Sequence, residues 1–188
     1  MEKITNIALT GAMRAGKDEV GRYLSQKYGY TRFAFADEMK RIARELFPTE
    51  FEADRKPREL LQWFGETMRQ RDPDVWVRRC CDKMARAAVD CEWDNGNYSY
   101  PFRAVITDLR LPVEYDRCRA EGFVIIRVKA TSGLRIQRAV ESSDTFDLRD
   151  LTHETEQYTD GFDVGFEITN DGTLAELYAK VDEIIAAF

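Results

Sequence analysis

Residues 4–18 read ITNIALTGAMRAGKD, and the fold turns on this stretch. Ile4 to Thr10 are apolar and β-branched, the pattern of a strand buried on both faces of a parallel sheet. Residues 11–18, GAMRAGKD, then match G-x-x-x-x-G-K between a strand and a helical pattern, the context that gives this spacing its meaning. Gly11 and Gly16 let the backbone wrap so that successive N–H groups point inward as an anion nest. The next helix adds the partial positive charge of its N-terminus, and Lys17 adds a point charge. The pattern predicts a phosphate-cradling loop of Gly11, Met13, Arg14, Ala15, Gly16 and Lys17. A turn in which the glycines merely permit the chain to reverse would not account for the lysine. The pattern usually continues with Ser or Thr to hold Mg²⁺, and here Asp18 stands instead. A carboxylate can bind Mg²⁺ directly or through water, so Asp18 is a candidate metal ligand. Glu19 follows and brings negative charge to the same helix end.

Outward from this loop, strands and helices alternate. Val20, Tyr23, Leu24 and Tyr28 recur at helical spacing, with Gly29 as a stop. Residues 31–36 read as a strand. Met39, Ile42, Ala43, Leu46 and Phe47 mark a helix that Pro48 ends. Residues 49–57 read as a polar loop and 58–71 as a helix. Asp72-Pro73 breaks the pattern, and Asp74 can cap a further helix with an apolar stripe from Val77 to Ala88. A turn-rich connector spans 93–101. Strands at 103–109 and 123–129 flank a short helix. Residues 131–163 are polar and acidic, a long loop or a small helical excursion. Residues 164–169 make a last strand before an amphipathic helix from Leu174 to Phe188. Apolar strand runs alternating with helices predict an α/β fold, a central parallel sheet covered on both faces, with the first strand near its centre.

The 188 residues carry a net charge of −6, which disfavours a general nucleic-acid binder. That charge is unevenly spread. Residues 131–188 hold only Arg135, Arg138, Arg149 and Lys180 against 13 acidic residues, so an anionic ligand must draw mainly on the earlier part. Cys80, Cys81, Cys91 and Cys118 form no C-x-x-C pair, and reduced thiols on an apolar helix stripe explain them better than metal ligation. The single histidine, His153, rules out a histidine-rich zinc site. No apolar run approaches the length needed to span a bilayer, and the N-terminus lacks a signal-peptide cleavage pattern, so a cytoplasmic protein is expected.

Several segments in order give the chain a likeness to a known family: GAMRAGKDEVGRYL at 11–24, FAFADEMKRIARELF at 33–47, LLQWFGETMRQRDPDVWVRRC at 60–80, VITDLRLPVEYDRCRAEGFVIIRV at 105–128, HETE at 153–156 and ITNDGTLAEL at 168–177. It resembles the phage-type deoxynucleoside monophosphate kinases, within the P-loop nucleotide kinases. In that family Asp typically follows the loop lysine. Thr usually comes next, so Glu19 departs from the pattern, and Thr155 replaces the usual Ser of HETE. The resemblance implies one P-loop kinase domain over 1–188, with an acceptor-binding helical insert at about 37–92 and a lid at about 131–163. It implies transfer of the ATP γ-phosphoryl, with Mg²⁺, to a (deoxy)nucleoside 5′-monophosphate.

The residues suit that chemistry. An acceptor that is already a phosphate anion needs no general base, so catalysis rests on positioning and charge neutralisation. Asp108 ends a strand where Mg²⁺ partners sit in α/β enzymes, or else caps a helix or turn. Arg110 can clamp a phosphate, and Glu114 can orient it or contact a sugar. By resemblance Asp37 and Lys40 face the acceptor; alternatively Asp37 caps its helix and Lys40 is solvated. Arg69 is expected on the acceptor phosphate, with Gly65 and Trp76 beside it and Gln62 or Trp63 near the base. Trp63, Phe64 and Trp76 could equally be core. Arg135 and Arg138, three apart and so on one face of a helix, are expected to reach the phosphates when a lid closes; the alternative is exposed surface charge. His153 and Glu156 read as lid or hinge structure. The turn from Asn170 borders the donor base in related kinases. The expected partners are small nucleotides, with neither nucleic acid nor membrane, and a homodimer is compatible with the sequence. The rivals are a dephospho-coenzyme A kinase, whose D-x-P-L-L-x-E stretch is only loosely echoed by DLRLPVE, or another small-molecule P-loop kinase, a nucleotide switch with no acceptor, and a decayed kinase, which Glu19 alone favours.

Overall fold

A computed structural model of the protein describes residues 5–52, 57–94, 101–141 and 158–187. Its strands are β1 (Ile7–Thr10), β2 (Thr31–Phe33), β3 (Ala104–Leu109), β4 (Val124–Lys129) and β5 (Phe166–Thr169). They form one sheet in the order β2-β3-β1-β4-β5, and every neighbouring pair is parallel. β1 lies at the centre and all four of its residues are fully buried. Thr10, the one polar residue there, donates its hydroxyl to Leu109 O at 3.0 Å.

The helices are α1 (Lys17–Tyr28), α2 (Phe35–Leu46), α3 (Arg58–Arg71), α4 (Val75–Asp94), α5 (Pro112–Ala120), α6 (Ser132–Glu141) and α7 (Leu174–Ala186). Side chains alternate across a strand, and this sorts the core into two layers. Ile7, Leu9, Val105, Ile126 and Val128 pack on one face with Val20 and Leu24 of α1 and Leu177, Val181 and Ile184 of α7. Ala8, Ala104, Ile106 and Ile125 pack on the other with Val77, Cys80 and Met84 of α4 and Cys118 of α5. A third cluster, Met39, Ala43, Leu61, Phe64 and Trp76, joins α2, α3 and the start of α4 beside the sheet. Burial pushes the Cys80 and Cys118 thiols up from their ordinary value, and all four cysteines are free.

Two local readings change, and the structure decides between the alternatives of a third. β2 ends at Phe33 and α2 already begins at Phe35, so residues 34–36 belong to the helix start instead of the strand. At the break before α4 it is Asp72, not Asp74, that supplies the side-chain bonds, to Asp74 N–H at 3.2 Å and to Arg78. The first part of the 131–163 segment is a regular helix, α6. His153, Glu156 and Arg149 lie outside the described residues.

Candidate active site

The loop between β1 and α1 is built as its glycines require. Gly11 and Gly16 have φ of 124° and 108°, and Arg14 also sits left-handed at 65°. A side chain at Gly11 would run into Val128 O of β4, and one at Gly16 into the Asn170 side chain. Ala15 is fully buried in the core beneath the loop. Lys17 is also buried, and its Nζ donates to Gly11 O at 2.5 Å and Ala12 O at 2.9 Å.

Other elements hold the loop's outer carbonyls. Asn170, just after β5, donates its Nδ2 to Ala15 O at 2.8 Å. Arg135 Nε donates to Met13 O at 2.7 Å. Arg138 bridges Arg14 O at 3.3 Å and Asn170 O at 3.0 Å. The two arginines therefore share one face of α6, and that face lies on the phosphate loop. Asp18 is exposed at the head of α1. Glu19 accepts from Arg22 and from the Tyr178 hydroxyl, and the Arg22 guanidinium holds its carboxyl below the usual range. Its charge is thus balanced within the chain.

A cleft of about 690 Å³ opens over this loop. Its loop side is formed by Met13, Arg14, Gly16, Lys17, Asp18, Glu19 and Arg138, and its floor by Thr107, Asp108, Arg110 and Leu111 around the end of β3 and Glu114 of α5. Its far wall comes from Arg32 of β2, from Phe35, Ala36, Met39 and Lys40 of α2, from Arg58, Leu61, Gln62 and Arg69 of α3, and from Trp76 of α4. The Asp108 carboxylate accepts Phe35 N–H at 2.8 Å and Ala36 N–H at 3.1 Å. Glu114 Oε2 accepts Arg110 N–H at 2.8 Å and Leu111 N–H at 2.9 Å. Burial raises both carboxyls. Those amides oppose the rise for Asp108, while for Glu114 the Asp108 charge adds to it and carries it to about 8.

The cleft gathers Lys17, Lys40, Gln62, Arg69, Trp76, Asp108, Arg110, Glu114 and Arg138 from the sequence-derived set. Gly11, Ala15 and Arg135 do not line it but build and brace the loop, Arg135 through Met13 O, and three others have different work. The Asp37 carboxylate accepts from Arg32 Nη1 at 2.8 Å, and the residue that precedes α2 is Ala34, so Asp37 does not cap the helix. Gly65 is buried where α3 meets α2, and an added Cβ would stand 2.6 Å from Met39 Sδ; its carbonyl accepts the Trp76 indole N–H at 3.2 Å. Asn170 acts through its side chain, as a clamp on the loop. Trp63 is 57% exposed while Phe64 is buried. Arg32 and Arg58 line the cleft and were not singled out. Arg58 was within reach of the sequence, because Arg58, Leu61, Gln62 and Arg69 fall on one helical face. Arg32, in a short edge strand, carries no such signal.

No protein-family model and no curated protein sequence matches the chain. Solved structures do resemble it over nearly its whole length. TT1252 from Thermus thermophilus is 17% identical with a TM-score of 0.60, over 100% of this chain and 99% of that one. A gluconokinase from Sinorhizobium meliloti 1021 is 15% identical with a TM-score of 0.58, over 98% and 93%. The shikimate kinase from Acinetobacter baumannii, solved with shikimate, is 19% identical with a TM-score of 0.53, over 99% and 95%. The fold is that of the small P-loop kinases. In this fold the loop of residues 11–17 lies at the carboxyl edge of the sheet, where open α/β sheets bind ligands. Among the described residues no helix is long and apolar enough to cross a membrane.

Proposed function

We propose that the protein transfers the γ-phosphoryl of ATP to a (deoxy)nucleoside 5′-monophosphate. The observation that carries this reading is the far wall of the cleft. It sets Arg32, Lys40, Arg58 and Arg69 around an apolar patch of Phe35, Met39, Leu61 and Trp76. A dianionic phosphate attached to a flat base matches that combination of charge and apolar surface. A small hydroxy acid with one carboxylate offers that wall no dianionic phosphate. The sequence segments shared with the deoxynucleoside monophosphate kinases support the same acceptor.

In this reading Lys17 and Arg138 neutralise the donor phosphates from the loop side, with Arg135 bracing the loop. Arg69 and Lys40 hold the acceptor phosphate, and Arg110 lies between the two. No side chain removes a proton, because the attacking oxygen is already anionic. Catalysis comes from alignment and from fixed positive charge on the equatorial oxygens. The donors available for Mg²⁺ are hard oxygens. Asp18 and Asp108 line the same cleft, and the buried Thr107 hydroxyl beside Asp108 has no partner among the described residues. Asp18 and Asp108 would hold Mg²⁺, and it would supply charge neutralisation on the transferring phosphoryl.

The test is ADP release from ATP across a panel of nucleoside and deoxynucleoside monophosphates, with shikimate, gluconate and dephospho-coenzyme A as further acceptors. Turnover stimulated by a monophosphate is expected. Stimulation by one of the other three alone, or by none, would replace this reading.

A further inference from the structure

The first turn of α2 has no cap of its own. The residue before it, Ala34, is extended at φ −148° and ψ 139°, and makes no side-chain bond to the helix. A helix start leaves its first N–H groups without partners. Here they are served from far along the chain, by Asp108 at the end of β3. Each carboxylate oxygen takes one amide, and such charge-assisted bonds are stronger than neutral ones. The turn that follows Asp108 is fixed in the same way, by Glu114 accepting Arg110 N–H and Leu111 N–H. On the donor side α1 already packs closely on β3, because a Cβ at Gly21 would stand 2.5 Å from the Thr107 side chain. One strand end thus holds both helices that face the cleft, α1 by close packing and α2 by a carboxylate.

We infer that Asp108 is a positioning residue, which acts through the N-terminus of α2 to set the acceptor wall from Phe35 to Lys40 against the phosphate loop. What that wall holds rests on the proposed phosphoryl transfer; the coupling itself does not. A role in holding Mg²⁺ would leave α2 indifferent to the loss of this carboxylate, so the two roles separate by experiment.

Asp108→Asn keeps the shape but offers one acceptor oxygen where two N–H groups point. Amide hydrogen exchange at Phe35 and Ala36 is expected to speed up about tenfold, the size of a lost cap, with Val20 and Leu24 of α1 unchanged. Monophosphate affinity, measured by calorimetry without ATP or Mg²⁺, should weaken about as much. Adding Ala34→Ser places a hydroxyl at the N-cap, in the extended conformation that caps use and within reach of the Ala36 N–H, and should restore the Ala36 exchange and the affinity. Ala34→Ser alone should change neither. Unchanged exchange in Asp108→Asn would overturn the inference. So would rescue of exchange by Ala34→Ser without rescue of affinity, which would put Asp108 in direct contact with the acceptor. If Asp108→Asn does not fold, Asp108→Glu shifts both oxygens by one methylene and is read the same way. A wild-type protein that binds no monophosphate would remove the proposed activity, and amide exchange with its Ala34→Ser rescue would then decide the coupling alone.

Discussion

On the phosphate-loop side of the cleft, Lys17, Arg135 and Arg138 are bonded to main-chain carbonyls at Gly11, Ala12, Met13, Arg14 and Asn170. On the acceptor side, Arg32 and Arg69 are paired with the carboxylates of Asp37 and Glu66, whose side chains are 26% and 60% exposed. Carbonyl partners cannot move unless the loop moves, so the donor-side cations are fixed in place before any ligand arrives. Exposed side-chain pairs contribute about 0–1 kcal/mol, so the acceptor-side cations can trade a carboxylate for a phosphate at little cost. One side of the cleft is preorganised and the other exchangeable.

Lys17→Ala removes the most firmly held donor-side cation. It should lower kcat about 10³-fold, the scale of losing a preorganised charge stabiliser, as read by ADP release at saturating acceptor. A small loss would break the contrast. Arg69→Ala should act on the other side alone, raising the acceptor KM about 30-fold, as for a lost charge-assisted hydrogen bond, with the ATP KM unchanged. A parallel rise in the ATP KM would show that the two sides are not independent.

The floor between them gives a pH test. Glu114 is raised from 4.5 to about 8 in the folded chain, so the folded state keeps a proton that the unfolded state has lost. Stability should therefore be greatest below about 4.5 as far as this group is concerned, and fall as pH rises toward 8. In nucleotide-free protein without Mg²⁺, Glu114→Gln should flatten the decline in Tm over that window. The same decline in the variant would exclude Glu114 as its source. The smallest effect belongs to Asp37→Ala. It frees Arg32 from an exposed pair and should change stability by about 0.5 kcal/mol or less, leaving the acceptor KM unchanged or lower. A large destabilisation would mean that the acceptor side is as rigidly built as the donor side.

The donor side was the more legible of the two. Its loop is local, six residues between a buried strand and a helix, and the three-residue spacing of Arg135 and Arg138 already put them on one face. The acceptor side depends on contacts across distance. Ala34 gives no sign that a helix starts behind it, because its cap comes from a strand more than seventy residues on. Asp108 has the strand-end position of a metal partner, and the sequence set that reading against a cap; the structure shows the carboxylate capping α2. Helical phase could have separated Phe64 from Trp63. Leu61, Phe64 and Gly65 are all buried, which puts Trp63 on the outer face.

The strand order also governs the sequence of events in folding. β1 finds its neighbours only in β3 and β4, and Thr10 bonds to Leu109, 99 residues along. The loop that follows β1 is backed by Val128 and clamped by Asn170. A chain emerging from the ribosome therefore carries β1 unpaired until β3, whose Leu109 lies 99 residues after Thr10, has been made. Such non-local parallel pairing folds slowly and leaves strands exposed to aggregation meanwhile. The phosphate loop is synthesised well before Val128 and Asn170, which back and clamp it, so it acquires its working shape late.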